Sequence, residues 1–405
     1  MKKILYLSQH FPPDAEAASF RAFDMAKSLS GRGFRVTVIT GFPNTPEFRK
    51  NDTYKYKFFV KEKSGSVTII RLYTPLDNKR NAIKRLLNYF SYMIFSCIVG
   101  VLLSKHDIVY ATTPPVFVPV SGLLISKLRR AKFVYEIRDL WIEGAVRQKV
   151  LKKGVILNNI RRIDRWTQNS ANAIISVTRS FKEYLIAAGV NGEKIEIVYN
   201  GVNLSENGQI DPKESETPVQ ELDGKFIVCY AGNIGSAQGL EIVIHSAKLL
   251  AGSDNISFLI IGDGMEKDKL VALKEQHNLN NIIFVNKQPR EDLIKYTDMA
   301  NCFLVPLLKH PLYKNYIPSK LFDCMAYGKP VLLGVDGESR MILEEAKAGF
   351  YFDMDLPENL VEKIKWIQEN PEDSKRMGIN GKNFVRDHFT REKMADKLTS
   401  ILMDL

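Results

Sequence analysis

The sequence has few cysteines, no spacing typical of a metal site and no evident export signal. Its cysteines, among 405 residues, are only Cys97, Cys229, Cys302 and Cys324. Because they are widely spaced and form no metal-ligand or redox pair, we expect them to pack in a reducing cytoplasm. The basic start of Met1–His10 leads into an apolar run that is too short for a signal peptide and alternates like a strand, so we expect no export.

The sequence also lacks internal repeats and the glycine fingerprint of dinucleotide-binding domains. No period of about 20 to 50 residues recurs. The loop after the first predicted strand has no G-x-G-x-x-G and instead carries Ala17, Ala18 and Ser19 before Arg21. Such small residues would let a ligand approach the backbone, although a plain strand–helix loop is equally compatible with them.

Helical and strand-like apolar patterns alternate along nearly the whole chain. With 45% apolar side chains, a chain of this length can bury two cores. The alternation predicts two α/β domains with parallel sheets, rather than barrels or bundles. A polar stretch after Asn200–Asn203 predicts the linker, so we expect a first domain over 1–203, a linker over 204–224 and a second domain over 225–388.

Positive charge is concentrated in the first half of the chain. Residues 1–200 contain 33 Lys and Arg against 15 Asp and Glu, whereas residues 201–405 contain 24 against 31, so the halves carry +18 and −7. This asymmetry indicates an anionic partner, either nucleic acid or an anionic membrane, unless the protein is simply basic and soluble. Nucleic acid is the least favoured partner because no RNA or DNA motif accompanies the charge.

An uncharged stretch, Leu86–Leu103, follows a basic segment in this half. As a helix it would be about 27 Å long, just short of the roughly 30 Å hydrocarbon core. Spanning would also separate the next strand, which starts near Asp107, from the first strand of its own sheet. The remaining alternatives are a buried helix and a helix in the membrane interface, and we combine them: one face packs and the other contacts lipid. The predicted membrane contacts are Lys79, Arg80, Lys84, Arg85, Leu86, Phe90 and Ile94.

The segment Tyr313–Gly334 predicts a loop, a helix and a buried strand that could bind an anion. Pro318 and Ser319 mark the start of the helix, where Ser319 could accept a hydrogen bond from a backbone N–H. A helix N-terminus favours bound anions. Lys320 in the first turn and Asp323 one turn later could contact a phosphate and a diol, although a solvated Lys and Asp are equally compatible with the pattern.

Two further strand ends carry candidate ligand groups. The glycine-rich loop Gly232–Gly239 lies between a strand and a helix, an arrangement that suits phosphate. The strand Lys132–Ile137 delivers Arg138, Asp139 and Trp141 at its carboxyl end, where ligands bind in open α/β sheets. An Arg–Asp pair at this place could equally be a structural ion pair.

Together these segments resemble the retaining glycosyltransferases of family four, which have the GT-B fold. The resemblance is carried by Asn200–Asn203, Gly262–Gly264, Asp298–Ala300 and the stretch P-S-K-L-F-D-C-M-A-Y-G-K-P-V-L. The loop G-N-I-G-S-A-Q-G-L and the sequence R-D-L-W are more narrowly similar to enzymes of bacterial O-antigen and capsule assembly, among them N-acetyl-L-fucosamine transferases.

The resemblance implies two Rossmann-like domains that face each other across a cleft. The first would bind the acceptor, the second would bind the nucleotide-sugar, and a C-terminal helix within 389–405 would cross back to the first domain. No metal or other cofactor is implied, because a helix N-terminus and basic side chains can neutralise the leaving diphosphate. The implied acceptor contacts are Ala17, Ala18, Arg21 and Arg138.

The donor site departs from the family pattern in its charges. The Glu-x7-Glu pattern maps onto Asn315, which would meet the donor sugar as an amide, and onto Asp323, which would accept from the ribose hydroxyls. The family's diphosphate-binding Arg and Lys correspond to Asn233 and Gln238. We therefore expect Lys320 to supply the missing cation. The implied donor contacts are Gly232, Asn233, Gly235, Gln238, Gly264, Asn315, Ser319, Lys320 and Asp323, and the catalytic residues are Arg138, Asp139 and Lys320.

The leading hypothesis is transfer of a sugar from a UDP-sugar to a polyprenyl-diphosphate-linked saccharide at the inner face of the cell membrane, in O-antigen or capsule synthesis. The sugar would be N-acetyl-L-fucosamine or another N-acetylated amino sugar. One alternative is an epimerase or hydrolase with the same fold, which would turn the donor over without an acceptor. A catalytically silent binding protein is the other alternative, suggested by the altered donor positions.

Overall fold

The computed structural model describes residues 1–14, 17–44, 53–76, 82–147, 151, 154–204, 219–252 and 255–405. Within these residues the chain forms two compact units, Met1–Tyr199 with Met394–Leu405, and Asn200–Lys393. The sequence predicts boundaries at 203 and 388 instead. Most of the predicted linker, 205–218, lies outside the described residues.

The first unit is built on a sheet that is parallel except at one edge. Its described strands are β1 (Lys3–Leu7), β2 (Arg35–Gly41), β3 (Phe59–Ser64), β4 (Val67–Leu72), β5 (Ile108–Thr112), β6 (Lys132–Ile137), β7 (Ala173–Ser176) and β8 (Ile195–Ile197). Their order is β3-β4-β2-β1-β5-β6-β7-β8, and β3 pairs antiparallel with β4. The central strands are almost wholly apolar because helices cover both faces of a parallel sheet.

The helices of this unit connect the strands. They are α1 (Ala17–Gly31), α2 (Ala82–Leu102), α3 (Phe117–Arg129), α4 (Trp141–Arg147), α5 (Val155–Ser170) and α6 (Arg179–Ala187). Helix α1 ends at Gly31, and Gly33, with φ 88°, adopts the left-handed conformation that turns the chain into β2.

The second unit contains a smaller parallel sheet. Its described strands are β9 (Phe226–Ala231), β10 (Ile256–Ile261), β11 (Ile282–Val285), β12 (Cys302–Pro306), β13 (Val331–Gly334) and β14 (Gly349–Tyr351), in the order β11-β10-β9-β12-β13-β14. Its helices are α7 (Glu241–Leu249), α8 (Lys267–Gln276), α9 (Arg290–Asp298), α10 (Ser319–Ala326), α11 (Glu338–Glu345), α12 (Pro357–Glu369) and α13 (Pro371–His388). The predicted α/β class, with two parallel sheets, is confirmed.

The last helix, α14 (Arg391–Met403), packs mainly on the first unit. Its side chains Met394, Ala395, Leu398 and Leu402 are buried in the core formed by β1, β2, β5 and α1. The Nζ of Lys2 donates to the carbonyl oxygen of Leu402 at 3.3 Å. The two ends of the chain therefore meet in one unit.

Candidate active site

In the second unit, two loops meet at the point where the strand order changes direction. Strand β9 lies between β10 and β12, so the loops that leave the carboxyl ends of β9 and β12 are neighbours. The N–H of Leu308, after β12, donates to the carbonyl oxygen of Ala237 in the loop after β9 at 2.9 Å. Ligands of open α/β sheets bind at such a switch point.

Glycines allow the loop after β9 to lie directly against the loop after β10. A Cβ on Gly262 would lie 1.9 Å from the carbonyl oxygen of Gly232, and a Cβ on Gly264 would lie 2.3 Å from that of Ile234. The Ile234 N–H donates to the Asp263 carbonyl oxygen at 2.8 Å. The two loops therefore form one backbone-packed floor, and the glycines at 262 and 264 have a packing role there.

Lys320 brings an ammonium group to this floor. Its Nζ lies 3.8 Å from the centroid of the Tyr230 ring and 2.7 Å from the position that a Cβ on Gly232 would take. Although the stem of the side chain is partly exposed, Nζ is buried and has no hydrogen-bond partner among the described residues. Burial lowers the pKa of Lys320 to about 8, because desolvation disfavours the charged form. A buried ammonium without an acceptor is well suited to bind an anion.

The ring of Tyr230 connects this ammonium to the loop. The Tyr230 hydroxyl donates to the carbonyl oxygen of Asn233 at 2.5 Å. Within the loop, the side-chain oxygen of Gln238 accepts from the N–H of Gly235 at 3.2 Å. Asn233 and Gln238, the two positions without the family's cations, thus help to set the conformation of the loop.

Helix α10 begins at Ser319, the residue that the sequence predicts as its cap. Pro318 occupies the cap position with φ −56° and ψ 125°, no side chain caps the helix, and Ser319 is already its first residue. The expected capping by Ser319 is therefore wrong, because a residue inside the first turn cannot take the extended conformation of a cap. Pro318 offers no side-chain acceptor to the first N–H groups of α10, which leaves this end suited to an anion.

Asp323 and Asn315 flank Lys320 along the chain. Asp323 is half-buried one turn after Lys320 on α10, and its charge acts to raise the pKa of Lys320 against the larger effect of burial. Asn315 is half-buried at the end of the 3-10 helix Pro311–Asn315, in the connection between β12 and α10. The helix that begins at Ser319 thus presents a cation and a carboxylate within its first two turns.

In the first unit, a buried acid that sequence reasoning missed organises the carboxyl end of β6. Glu136 is 1% exposed, and the Nη2 of Arg21 on α1 donates to its Oε1 at 2.8 Å. Arg21 also donates to the carbonyl oxygen of Tyr199 at 3.4 Å. Although burial favours the neutral acid, Arg21 and Arg138 hold the pKa of Glu136 below its usual value. The sequence signal that could have identified Glu136 is a single acidic residue in the otherwise mostly apolar strand K-F-V-Y-E-I.

Two tyrosines extend this polar cluster. The rings of Tyr6 and Tyr110 stack with their centroids 4.9 Å apart. Their hydroxyls, the Arg21 Nε and the Glu136 Oε2 are buried and lack a hydrogen-bond partner in the described part of the chain. Burial and the charge of Arg21 lower the pKa of Arg138, so an anion beside Arg138 would be favoured.

Two family models match the chain, one largely in each unit. The model described as Glycosyltransferase Family 4 matches residues 18–206, and the model described as Glycosyl transferases group 1 matches residues 212–384. The chain has the GT-B fold of the group 1 glycosyltransferases. The motif resemblance to family four is confirmed at this level.

Several individual proteins similar to this chain come from bacteria. The putative colanic acid biosynthesis glycosyl transferase WcaI of Escherichia coli K12 is 26% identical over 334 residues, which cover 80% of this chain and 81% of that protein. Sucrose-phosphate synthase from Thermosynechococcus elongatus has a TM-score of 0.79 at 17% identity, with 100% and 99% of the two chains covered. The Anabaena protein HepE, in complex with UDP, has a TM-score of 0.76 at 16% identity, with both chains covered completely.

The remaining predicted site residues of this GT-B chain lie mostly in its first unit. Ala17 and Ala18 begin α1, and their side chains are outside the description. Arg138 and Asp139 are half-buried directly after β6. No group of three or more His, Cys, Asp or Glu side chains that could hold a metal ion is found among the described residues.

Helix α2 has a packed face and an exposed apolar face. The packed face consists of Asn88, Tyr92, Ser96 and Gly100, and the opposite face of Leu86, Phe90, Ile94, Ile98 and Leu102, which are 37% to 80% exposed. The segment Lys84–Leu102 could cross a membrane by length and composition, and 28% of it is buried. Lys84 is exposed and Arg85 half-buried, whereas Lys79 and Arg80 lie outside the described residues. The expected packing face is confirmed, and contact with lipid stays a prediction.

Proposed function

We propose that the protein is a retaining glycosyltransferase that transfers a sugar from a UDP-sugar to a polyprenyl-diphosphate-linked saccharide, in O-antigen or capsule synthesis. The likeness to WcaI, whose name assigns it to colanic acid biosynthesis, supports a polysaccharide product. The likeness to HepE, which was crystallised with UDP and with UDP-glucose, supports a uridine donor. An N-acetylated amino sugar, such as N-acetyl-L-fucosamine, is the first donor sugar to test.

The buried ammonium of Lys320 is the observation that carries this proposal. A nucleoside diphosphate gains negative charge as it leaves the sugar, and a preorganised donor in a site shielded from water stabilises that charge strongly. Lys320 contacts the floor formed by Gly232 and needs an acceptor for its N–H groups. The diphosphate supplies that acceptor, assisted by the backbone N–H groups of the loop and of the first turn of α10.

The other roles follow from the positions of the side chains. Asp323 accepts from the ribose hydroxyls, and the amide of Asn315 contacts the transferred sugar. Arg138, beside Glu136 and Arg21, binds the anionic part of the acceptor. No step requires a protein nucleophile, because attack from the face that the diphosphate leaves retains the configuration of the sugar. No step requires a metal ion, because Lys320 and the N-terminus of α10 neutralise the leaving diphosphate. Transfer should therefore persist in the presence of a chelator.

The exposed face of α2 attaches the protein to the inner face of the cell membrane. Each basic residue near an anionic surface adds roughly 1 kcal/mol of attraction, and buried apolar side chains add affinity that salt does not screen. Lys84 at the start of the helix and the net charge of +18 in residues 1–200 support this orientation. A membrane-bound enzyme would meet its lipid-linked acceptor directly.

The deciding experiment supplies a panel of nucleotide-sugars and an extract of lipid-linked acceptors, and analyses the lipid by mass spectrometry. We expect one UDP-sugar to add one sugar mass to the lipid. Lys320→Met should reduce turnover by about 100-fold or more, with a smaller loss of donor binding. Lys365→Met, which neutralises an exposed lysine on α12, is the matched control and should leave turnover unchanged.

Three other outcomes would contradict the proposal. Donor turnover without any lipid product would indicate an epimerase or hydrolase. Absence of donor binding would indicate a silent binding protein. Full turnover in Lys320→Met would remove Lys320 from the mechanism and leave the charge to Arg138 or to the backbone.

A further inference from the structure

A cavity of about 330 Å³ lies in the first unit, on the face of the sheet opposite Glu136. Tyr135 and Ile137, the neighbours of Glu136 on β6, line it, because successive side chains of a strand point to opposite faces. The cavity extends from Asp139, after β6, to Ala188, directly after α6. Its volume is at the lower end of the range of small-ligand sites, about 300 to 1,000 Å³. We call it the α5–α6 cavity.

The floor of the α5–α6 cavity is apolar and its walls are polar. The floor residues are buried and comprise Val116, Ile137, Leu140, Ile142 and Leu185. The wall residues belong mainly to α4, α5 and α6 and comprise Trp141, Glu143, Arg161, Asp164, Arg165, Gln168 and Tyr184. Mostly apolar surface with a few fixed polar groups is typical of sites for small organic ligands.

The first wall carboxylate, Glu143, is held by two donors. Arg161 donates to both of its oxygens at 2.9 Å, and the Tyr184 hydroxyl donates to Oε1 at 3.0 Å. These contacts join α4, α5 and α6 around the opening. Glu143 is therefore fixed in position before any ligand arrives.

The second wall carboxylate, Asp164, is also held by two donors. The Tyr135 hydroxyl donates to Oδ1 at 2.6 Å, and Gln168 Nε2 donates to Oδ2 at 2.8 Å. Because a carboxylate offers about four acceptor positions, Asp164 can accept further hydrogen bonds from hydroxyl groups. Burial raises the pKa of Asp164 to about 6, because its two hydrogen-bond donors do not fully replace the water lost by the charged form.

Trp141 adds a fixed aromatic surface beside these acceptors. Its ring is half-buried and makes an edge contact with Tyr89, with the centroids 6.1 Å apart. The lining contains the acids Asp139, Glu143 and Asp164 and the bases Arg161 and Arg165, a formal charge of −1, which disfavours a phosphate. An aromatic ring, an apolar floor and carboxylate acceptors together match a sugar, which has an apolar ring face and hydroxyl donors at its edge.

We infer that the α5–α6 cavity is a saccharide subsite that holds a sugar unit of the acceptor other than the one that reacts. The inference rests on the proposed transferase function, because the cavity starts at Asp139, directly after Arg138 at the carboxyl end of β6. The subsite would select the acceptor by the sugar that precedes the new linkage. It would hold that sugar by hydrogen bonds to Asp164 and Glu143.

The test measures binding of free saccharides by saturation-transfer NMR, with a panel of mono- and disaccharides of hexoses and N-acetylhexosamines. We expect at least one member to bind the full-length protein. Ala188→Leu fills the cavity without removing a polar group and should weaken that binding by at least tenfold. Ala187→Leu adds the same atoms one residue earlier, at an exposed position, and should bind as the wild type does.

A second variant keeps the test valid if Ala188→Leu does not fold. Tyr184→Phe removes only the hydroxyl that holds Glu143 and should weaken saccharide binding by roughly tenfold, which corresponds to about 1.4 kcal/mol, near the lower end of the cost of losing a hydrogen bond to a charged group. UDP binding, measured by calorimetry, should be unchanged in both variants.

The outcomes separate this inference from the proposed function. If no member of the panel binds, or if filling the cavity leaves binding unchanged, the cavity is not a saccharide subsite, whatever UDP does. If saccharides bind at the cavity but no nucleotide-sugar binds or is turned over, the subsite stands and the transferase proposal fails.

Discussion

Donor binding should depend on pH through Lys320. The pKa of its ammonium is lowered from the ordinary 10.5 to about 8 by burial, so a neutral amine forms in the free protein above pH 8. A bound diphosphate favours the charged form, and the pKa of Lys320 should rise again in the complex. Donor binding near pH 8 should therefore take up about half a proton.

The magnitude follows from the size of the shift. With a pKa of about 8, roughly one free protein molecule in eleven keeps the ammonium at pH 9, so the affinity for UDP should fall about tenfold from pH 7 to pH 9. Between pH 6 and 7 the contribution of Lys320 should be nearly constant, because the ammonium is then fully formed.

Isothermal calorimetry with UDP, in buffers of different ionisation enthalpy, measures both the affinity and the proton uptake. Lys320→Met keeps the apolar stem and removes the titrating group, so it corrects for titration of UDP itself. If the wild type and Lys320→Met take up the same number of protons at pH 8, the assignment of Lys320 to the diphosphate is wrong.

The same pKa has a consequence for stability. Because the pKa of Lys320 is lower in the folded than in the unfolded protein, the unfolded state binds more protons between pH 8 and 10.5, and stability should rise with pH over that range. At pH 7 the buried charge costs roughly 3 kcal/mol. Thermal denaturation of Lys320→Met at pH 7 should therefore show a higher Tm than the wild type, whereas a lower Tm would mean that the charge is already stabilised.

The remaining predictions concern three other positions. Asp323→Asn should weaken UDP binding by about tenfold or more at little cost in stability, and an unchanged calorimetric affinity would reject its contact with the ribose. Ile94→Glu on the exposed face of α2 should release the protein from anionic vesicles in flotation, whereas Ile379→Glu, at a position that is also 50% exposed, should not. Because the pKa of Asp164 is raised to about 6 in the folded protein, the wild type should lose roughly 2 to 3 kcal/mol of stability as the pH rises from 4 to 6. Asp164→Asn should not show this loss, and an identical pH dependence of denaturation in the two proteins would contradict the prediction.

Local patterns were sufficient to predict the elements around the proposed donor site. The glycine-rich loop after β9, the helix that carries Lys320 and the buried strand after Pro330 all follow from apolar spacing and from turn residues. The error at Ser319 concerns a single residue at the helix start, where the structure gives the cap position to Pro318. The exact first residue of a helix depends on backbone angles, and the residue types at a position favour certain angles without determining them.

Contacts between distant residues could not be predicted in this way. Glu136 and Arg21 are far apart in sequence, and nothing local indicates that α1 places a guanidinium against β6. The α5–α6 cavity has the same origin, since Glu143, Arg161 and Tyr184 come from three successive helices. These sites result from tertiary packing, and the spacing of apolar residues along the chain does not indicate which distant residues come into contact.

The position of Lys320, the cation of the proposed donor site, has a physical consequence that the motif alone does not reveal. A cation on the loop, at position 233 or 238, would be close to water and would keep its charge at any physiological pH. Here the loop carries two uncharged amides, of which Gln238 accepts a hydrogen bond from the N–H of Gly235, and the ammonium of Lys320 lies against the Tyr230 ring, where it is desolvated. Desolvation strengthens its attraction to a diphosphate but also lowers its pKa towards the working pH. A Lys320 that binds the diphosphate from this buried position therefore has a pKa near 8, whereas a cation at position 233 or 238 would stay charged at that pH.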